Sequence, residues 1–102
     1  MYISMSRLRL PEPHVAELLS AFNDRAGLVE NAEGFIDLEV WHSDRDPGEV
    51  IMVSRWDNRD AFTRYMKSDD HKTSHDRINP ALKGVIRLER LDHLHTYDVV
   101  AT

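Results

Sequence analysis

The groups best suited to chemistry in this 102-residue chain are its 6 histidines and the polar residues that could work with them. His71 and His75 are four apart, so on a helix they share a face. Two imidazoles at that spacing can hold a metal, and Asp69 or Asp70 could add a carboxylate. The His-Glu-x-x-His pattern of a catalytic zinc site is missing, so the competing interpretation is two surface histidines at a polar helix end. His75 by itself, on the core side of its helix, would suit a haem iron, which takes one neutral imidazole on its proximal side. His93 and His95 share a face of the last strand, where half-exposed strand positions account for them equally well. Ser6, Tyr65 and His42 are further acid–base or hydrogen-bonding candidates. Arg7, Arg9, Lys67, Lys72 and Arg77 could meet an anionic ligand or simply form a solvated surface.

Other chemistries are excluded by composition. With no cysteine, a disulfide scaffold, a thiolate zinc site and an iron–sulfur cluster are ruled out. Only 4 glycines are present and none forms a phosphate-cradling loop, and the Gly-x-Ser-x-Gly elbow is absent. An ATPase, a dinucleotide-dependent dehydrogenase and a serine hydrolase are therefore disfavoured. Lys and Arg total 13 against 18 Asp and Glu, a net charge of −5, which disfavours nucleic acid as a partner. A hydrophobic content of 41% and a charged content of 30% are those of an ordinary folded protein. No apolar run approaches the ~20 residues a membrane span needs. Residues 1–7 lack the basic-then-apolar pattern of a secretory signal, so the expected location is the cytoplasm. The length supports one domain, residues 1–102, without repeat or linker.

The elements that must position these groups follow from periodicity. Residues 2–10 read as a strand whose parity switches near Ser6-Arg7, from Ile3 and Met5 to Leu8 and Leu10; this suggests either a bulge or a strand burying opposite faces at its two ends. Pro13 suits a first helical turn, and Val15, Leu18, Leu19, Phe22 and Ala26 make one stripe of a helix running to about residue 28. Gly34 opens a second strand, residues 35–42, with Ile36, Leu38 and Val40 on one face and Phe35 and Trp41 on the other. The turn cluster around Pro47-Gly48 joins it to a third strand, residues 49–56, with Ile51 and Val53 opposite Val50, Met52 and Trp56. Asn58 is a good N-cap for a second helix whose buried stripe would be Phe62, Tyr65 and Met66. Ser68-Asp69-Asp70 could cap a further short helix carrying His71, His75 and Ile78, and Gly84 precedes a long last strand, residues 85–100.

The order β-α-β-β-α-β is that of an α+β, ferredoxin-like antiparallel sheet with helices on one face. Strands two and three carry large apolar groups on both faces, and no element remains to cover the second. An uncovered apolar face of that size marks an interface, so the expectation is a homodimer packed sheet to sheet. The alternative is a monomer with Trp41 and Trp56 as half-exposed rim residues.

The element order, Glu33-Gly34-Phe35 opening strand two, Trp56 ending strand three, and Ala61-Phe62-Thr63-Arg64-Tyr65-Met66-Lys67-Ser68-Asp69 followed by His71 and His75 together resemble the antibiotic-biosynthesis monooxygenase (ABM) superfamily. Within it the likeness is to the IsdG-type haem-degrading monooxygenases, from residue 1 to about residue 78. The resemblance implies a dimeric α/β-barrel of ferredoxin-like subunits, with haem held between helices and sheet as both substrate and cofactor. It implies His75 as the proximal ligand of the haem iron. The distal hydrogen-bonding asparagine of the family falls on Ser6, and the tryptophan that pushes haem out of plane falls on Tyr65. One of three positions is therefore retained. Ser6 can still donate a hydrogen bond but reaches less far than an amide, and Tyr65 is a smaller ring with a polar tip.

Three functions follow. The first is a dioxygen-dependent, haem-degrading monooxygenase using Ser6, Tyr65 and His75, with an electron donor that the sequence does not identify. The second is a cofactor-free monooxygenase of a small aromatic or hydroquinone substrate, with Tyr65, His75, His71 and Arg64 as candidates for binding or proton removal. The third is a non-enzymatic dimer that binds haem or another apolar ligand without turnover.

Overall fold

The structure, a computed structural model, describes residues 1–23, 29–71, 87–88 and 94–102. The first strand, β1 (Tyr2–Arg9), lies in the middle of an antiparallel sheet. A 3-10 turn at Glu12–His14, with proline in its first turn, leads into helix α1 (Val15–Asn23). A second 3-10 turn, Val29–Asn31, precedes the hairpin of β2 (Phe35–His42) and β3 (Glu49–Trp56). Helix α2 (Arg59–Met66) follows, then two short strands, β4 (Arg87–Leu88) and β5 (Leu94–Asp98). The sheet order is β2-β3-β1-β4, and β5 also pairs with β1, so the two pieces occupy one edge in the ferredoxin-like arrangement.

The expected bulge in β1 does not occur. Its register with β3 runs unbroken from Tyr2↔Trp56 to Arg9↔Glu49. Tyr2, Ser4 and Leu8 are buried on the helix side, while Ile3 and Met5 lie on the opposite face, so the parity switch in the sequence reflects a strand with apolar groups on both sides. A bulge does occur in β2, between Phe35 and Asp37. It brings Phe35 opposite Trp56, onto the same face as Leu38 and Val40, and leaves Ile36 41% exposed. The expected grouping of Ile36 with Leu38 and of Phe35 with Trp41 is therefore corrected, because one extra residue reverses the alternation.

Of the expected last strand, Arg87–Leu88 and Leu94–Asp98 are strand, and residues 85–86 and 89–93 lie outside the described residues. Ser6 pairs with Leu94 and Leu8 with Leu88. Trp56, at 1% exposure, is core rather than rim. Met66, expected in the buried stripe of α2, is 38% exposed; Phe62 is buried as expected, and Ala61 is buried beside it.

Two local devices seat α2. The Asn58 side chain accepts the Ala61 N–H at 2.9 Å, capping the helix. Gly34 has φ +82°, and a Cβ there would lie 2.5 Å from the Cβ of Ala61, so only glycine lets this turn pass beneath the helix. Its carbonyl accepts the Asp57 N–H at 2.8 Å, tying the start of β2 to the end of β3.

Each helix covers a different end of the sheet. Val15 and Leu18 of α1 pack with Leu8, Leu10 and Val50, joined by Leu19, Phe22 and Val40. Ala61 and Phe62 of α2 pack with Tyr2, Val29 and Trp56, joined by Ala32, Phe35, Leu38 and Tyr65. Among the described residues the two clusters share none.

Candidate functional site

Among the described residues, the strand positions between those clusters carry mostly hydroxyls and a thioether. On the helix side of the sheet, β1 contributes Ser4 and Ser6, β3 contributes Met52 and Ser54, and β5 contributes Leu94 and Thr96. Ser4 is paired with both Ser54 and Thr96, and Ser6 with Met52 and Leu94. Serine is a poor strand former, and the centre of a covered sheet face ordinarily takes Val or Ile. Ser6, Met52 and Ser54 are only half-buried although they lie on the helix side. A polar, accessible floor between two apolar walls is the arrangement that holds an amphiphilic ligand, with apolar contact for bulk and few donors for orientation.

Ser6 and Tyr65, the two predicted site residues within the described part, border this floor without touching each other. Ser6 sits opposite Met52, four positions along β3 from Trp56, or roughly 13 Å at strand rise. The Tyr65 ring lies on the Trp56 indole, with centroids 5.4 Å apart and planes at 33°. Trp56 is further enclosed by Phe35 and Phe62, edge-on at 5.4 and 5.8 Å. Its indole N–H donates to the Ser54 hydroxyl at 2.9 Å.

His75, the proposed iron ligand, lies outside the described residues, as do Lys72, Arg77, Ile78 and His93. The start of its segment is described. Ser68 accepts the His71 N–H at 3.2 Å and donates to the Tyr65 carbonyl at 2.6 Å, so it caps the next helix as expected and ties it to α2. The His71 ring meets Tyr65 edge-on, centroids 5.4 Å apart. Beside this corner is an open cleft of about 210 Å³ lined by Ala32, Glu33, Arg64, Tyr65, Ser68 and Asp70. It falls below the ~300–1,000 Å³ of pockets that enclose drug-sized ligands, so it does not by itself enclose a haem. Among the described residues no three His, Asp or Glu side chains gather as metal ligands.

The remaining candidates lie elsewhere. His42 is exposed at the far end of β2, its Nε2 2.9 Å from the Pro47 carbonyl oxygen. Arg7 pairs with Glu49 at 3.3 Å, and Arg9 with Asp46, on the face away from the helices. Asp46 is held below its ordinary pKa of 3.8 by the Arg9 guanidinium and by the Gly48 N–H. Arg55 bonds to Asp37 and Glu39 at 3.0 Å each, which raises its already high pKa. The arginines singled out at this end are thus engaged by carboxylates. His95 also lies on that open face, opposite Met5. Sequence reasoning missed the hydroxyl floor; its signal was there in Ser4, Ser6, Ser54 and Thr96, all of one parity once the strands are paired.

Residues 1–77 match the antibiotic biosynthesis monooxygenase family. The chain belongs to that family. A curated heme-degrading monooxygenase of Listeria welshimeri is 38% identical over 83 residues, 71% of this chain and 69% of the relative. A shorter match, over 52 residues and 43% of the relative's length, joins the chain to a heme-degrading monooxygenase of Listeria monocytogenes. Among solved structures, the heme-degrader MhuD of Mycobacterium tuberculosis, with two hemes bound in its active site, superposes with a TM-score of 0.79 at 21% identity, covering 100% of this chain and 98% of that one. SnoaB of Streptomyces nogalater, a cofactor-independent oxygenase, superposes with a TM-score of 0.74 at 16% identity, covering 99% and 94%. At such identities the structural likeness establishes the ABM fold alone. Membership of a monooxygenase family, with relatives named heme-degrading monooxygenases, makes this chain an enzyme of that family. Among the described residues no helix is long and apolar enough to cross a membrane.

Proposed function

We propose that this ABM enzyme binds haem between its helices and sheet and degrades it with dioxygen and an external reductant. The observation that carries the reading is the divided core: two apolar clusters, one under each helix, separated by the Ser4, Ser6, Met52 and Ser54 floor. The donor set fits an amphiphilic macrocycle, since Ser6 offers a hydroxyl at the floor and Tyr65 an aromatic wall backed by Trp56. When bound, haem supplies the iron that activates dioxygen and the ring that is oxidised. In this reading His75 provides the proximal imidazole, Ser6 hydrogen-bonds the distal side, and Tyr65 orients the ring. The reading also takes the enzyme as cytoplasmic and homodimeric, with a second copy over the open face where Trp41 and Tyr97 are 42% and 51% exposed.

A second reading, a cofactor-free oxygenase of a hydroquinone-like substrate, rests on the family resemblance, which implies asparagine and tryptophan at the positions of Ser6 and Tyr65. The two are separated by turnover. Hemin-loaded enzyme given ascorbate in air, with catalase present to remove free peroxide, is expected to lose its Soret band. An unchanged Soret band, together with dioxygen uptake on a hydroquinone without haem, would replace the first reading by the second.

A further inference from the structure

We propose that Ser54 is a positioning residue that sets the Tyr65 ring through Trp56. The inference rests on the reading of Tyr65 as a wall of the ligand site. Ser54 and Trp56 are two apart on β3, so both face the helices. Trp56 is 1% exposed, and its indole N–H needs an acceptor. The acceptor is the Ser54 hydroxyl, at 2.9 Å. Phe35 and Phe62 crowd the indole edge-on, which leaves one face for the Tyr65 ring, tilted 33° to it. The hydrogen bond thus fixes the rotation of the surface on which Tyr65 rests. It also explains a hydroxyl at a strand position, opposite Ser4, where packing alone would favour a β-branched aliphatic residue.

Such a role differs from simple core filling because Thr and Val have nearly the same shape. Ser54→Thr keeps the acceptor; Ser54→Val removes it at equal volume and leaves the indole N–H unpartnered. The test compares the aromatic ¹³C resonances of Tyr65 in the ligand-free protein, assigned with Tyr65→Phe. Ser54→Val is expected to move the Tyr65 ring signals, while Ser54→Thr leaves them close to wild type. Tyr97, on the other face, is an internal control. Hemin is then titrated into each: Ser54→Val should weaken binding roughly three- to tenfold, the loss of about one hydrogen bond, and Ser54→Thr should restore it. Should Ser54→Val fail to fold, Ser54→Ala serves for the same comparison. Unmoved Tyr65 signals in the variant lacking the hydroxyl, or equal displacement in Ser54→Thr, overturn the proposal. If wild type does not bind hemin, the haem reading fails, and the ligand-free spectra still decide the role of Ser54.

Discussion

The two faces of the sheet use their polar residues in opposite ways. On the helix side, the middle of the sheet carries hydroxyls between two apolar clusters, with Ser4 buried and Ser6 and Ser54 half-buried. On the open side, charge is present and paired: Arg55 lies between Asp37 and Glu39, and Arg7 and Arg9 reach Glu49 and Asp46. Apolar groups fill the spaces between those pairs, and Val53 is 1% exposed there although it belongs to neither core cluster. A face of neutral donors suits a ligand that must be desolvated. A face of paired charges and scattered aromatics suits a wet interface that fixes register. The two faces thus differ in side-chain chemistry, with neutral hydroxyls under the helices and paired charges on the opposite side.

The two tryptophans test this contrast most severely. Trp56→Ala is expected to cost about 3–5 kcal/mol in denaturant unfolding, because it empties the centre of the α2 cluster. Trp41→Ala is expected to leave subunit stability within about 0.5 kcal/mol and to weaken self-association in sedimentation. Equal stability losses would erase the distinction between faces. Gly34→Ala comes next, at about 2–3 kcal/mol by the same measurement, since it combines a left-handed backbone with a collision against Ala61. A loss under about 0.5 kcal/mol would mean that α2 can lift from the sheet freely. Asn58→Ala should cost about 1 kcal/mol through the lost cap. The smallest effect belongs to the open face. Asp46 titrates below 3.8, so the stabilisation from its Arg9 pair is present above the ordinary carboxylate range and lost as pH falls through the lowered value. Carboxylate NMR should place the Asp46 midpoint below that of Asp46 in Arg9→Gln, and coincident midpoints would remove the pair from the account.

Much of the fold was legible from local rules. Asn58 as a cap, Gly34 at the strand start and the Pro47-Gly48 turn each act within a few residues, and each appears where the sequence puts it. The faces of β2 were misread because the bulge after Phe35 leaves no local signature: Phe35-Ile36-Asp37-Leu38 alternates plausibly in either register, and pairing with Trp56 decides. The floor was illegible for a related reason. Ser4, Ser54 and Thr96 are distant in sequence and become one row only through strand pairing. Tyr65 is a candidate from its residue type and from the family likeness, whereas its contact with Trp56, and that of Trp56 with Ser54, are tertiary facts.

The central claim, a haem site between helices and sheet completed by one imidazole, is tested most directly by hemin titration of wild type and His75→Ala side by side, followed by absorption spectroscopy. The account predicts a saturable Soret shift at one haem per subunit in wild type and its loss in the variant. No saturable shift in wild type, or equal binding by His75→Ala, would contradict it.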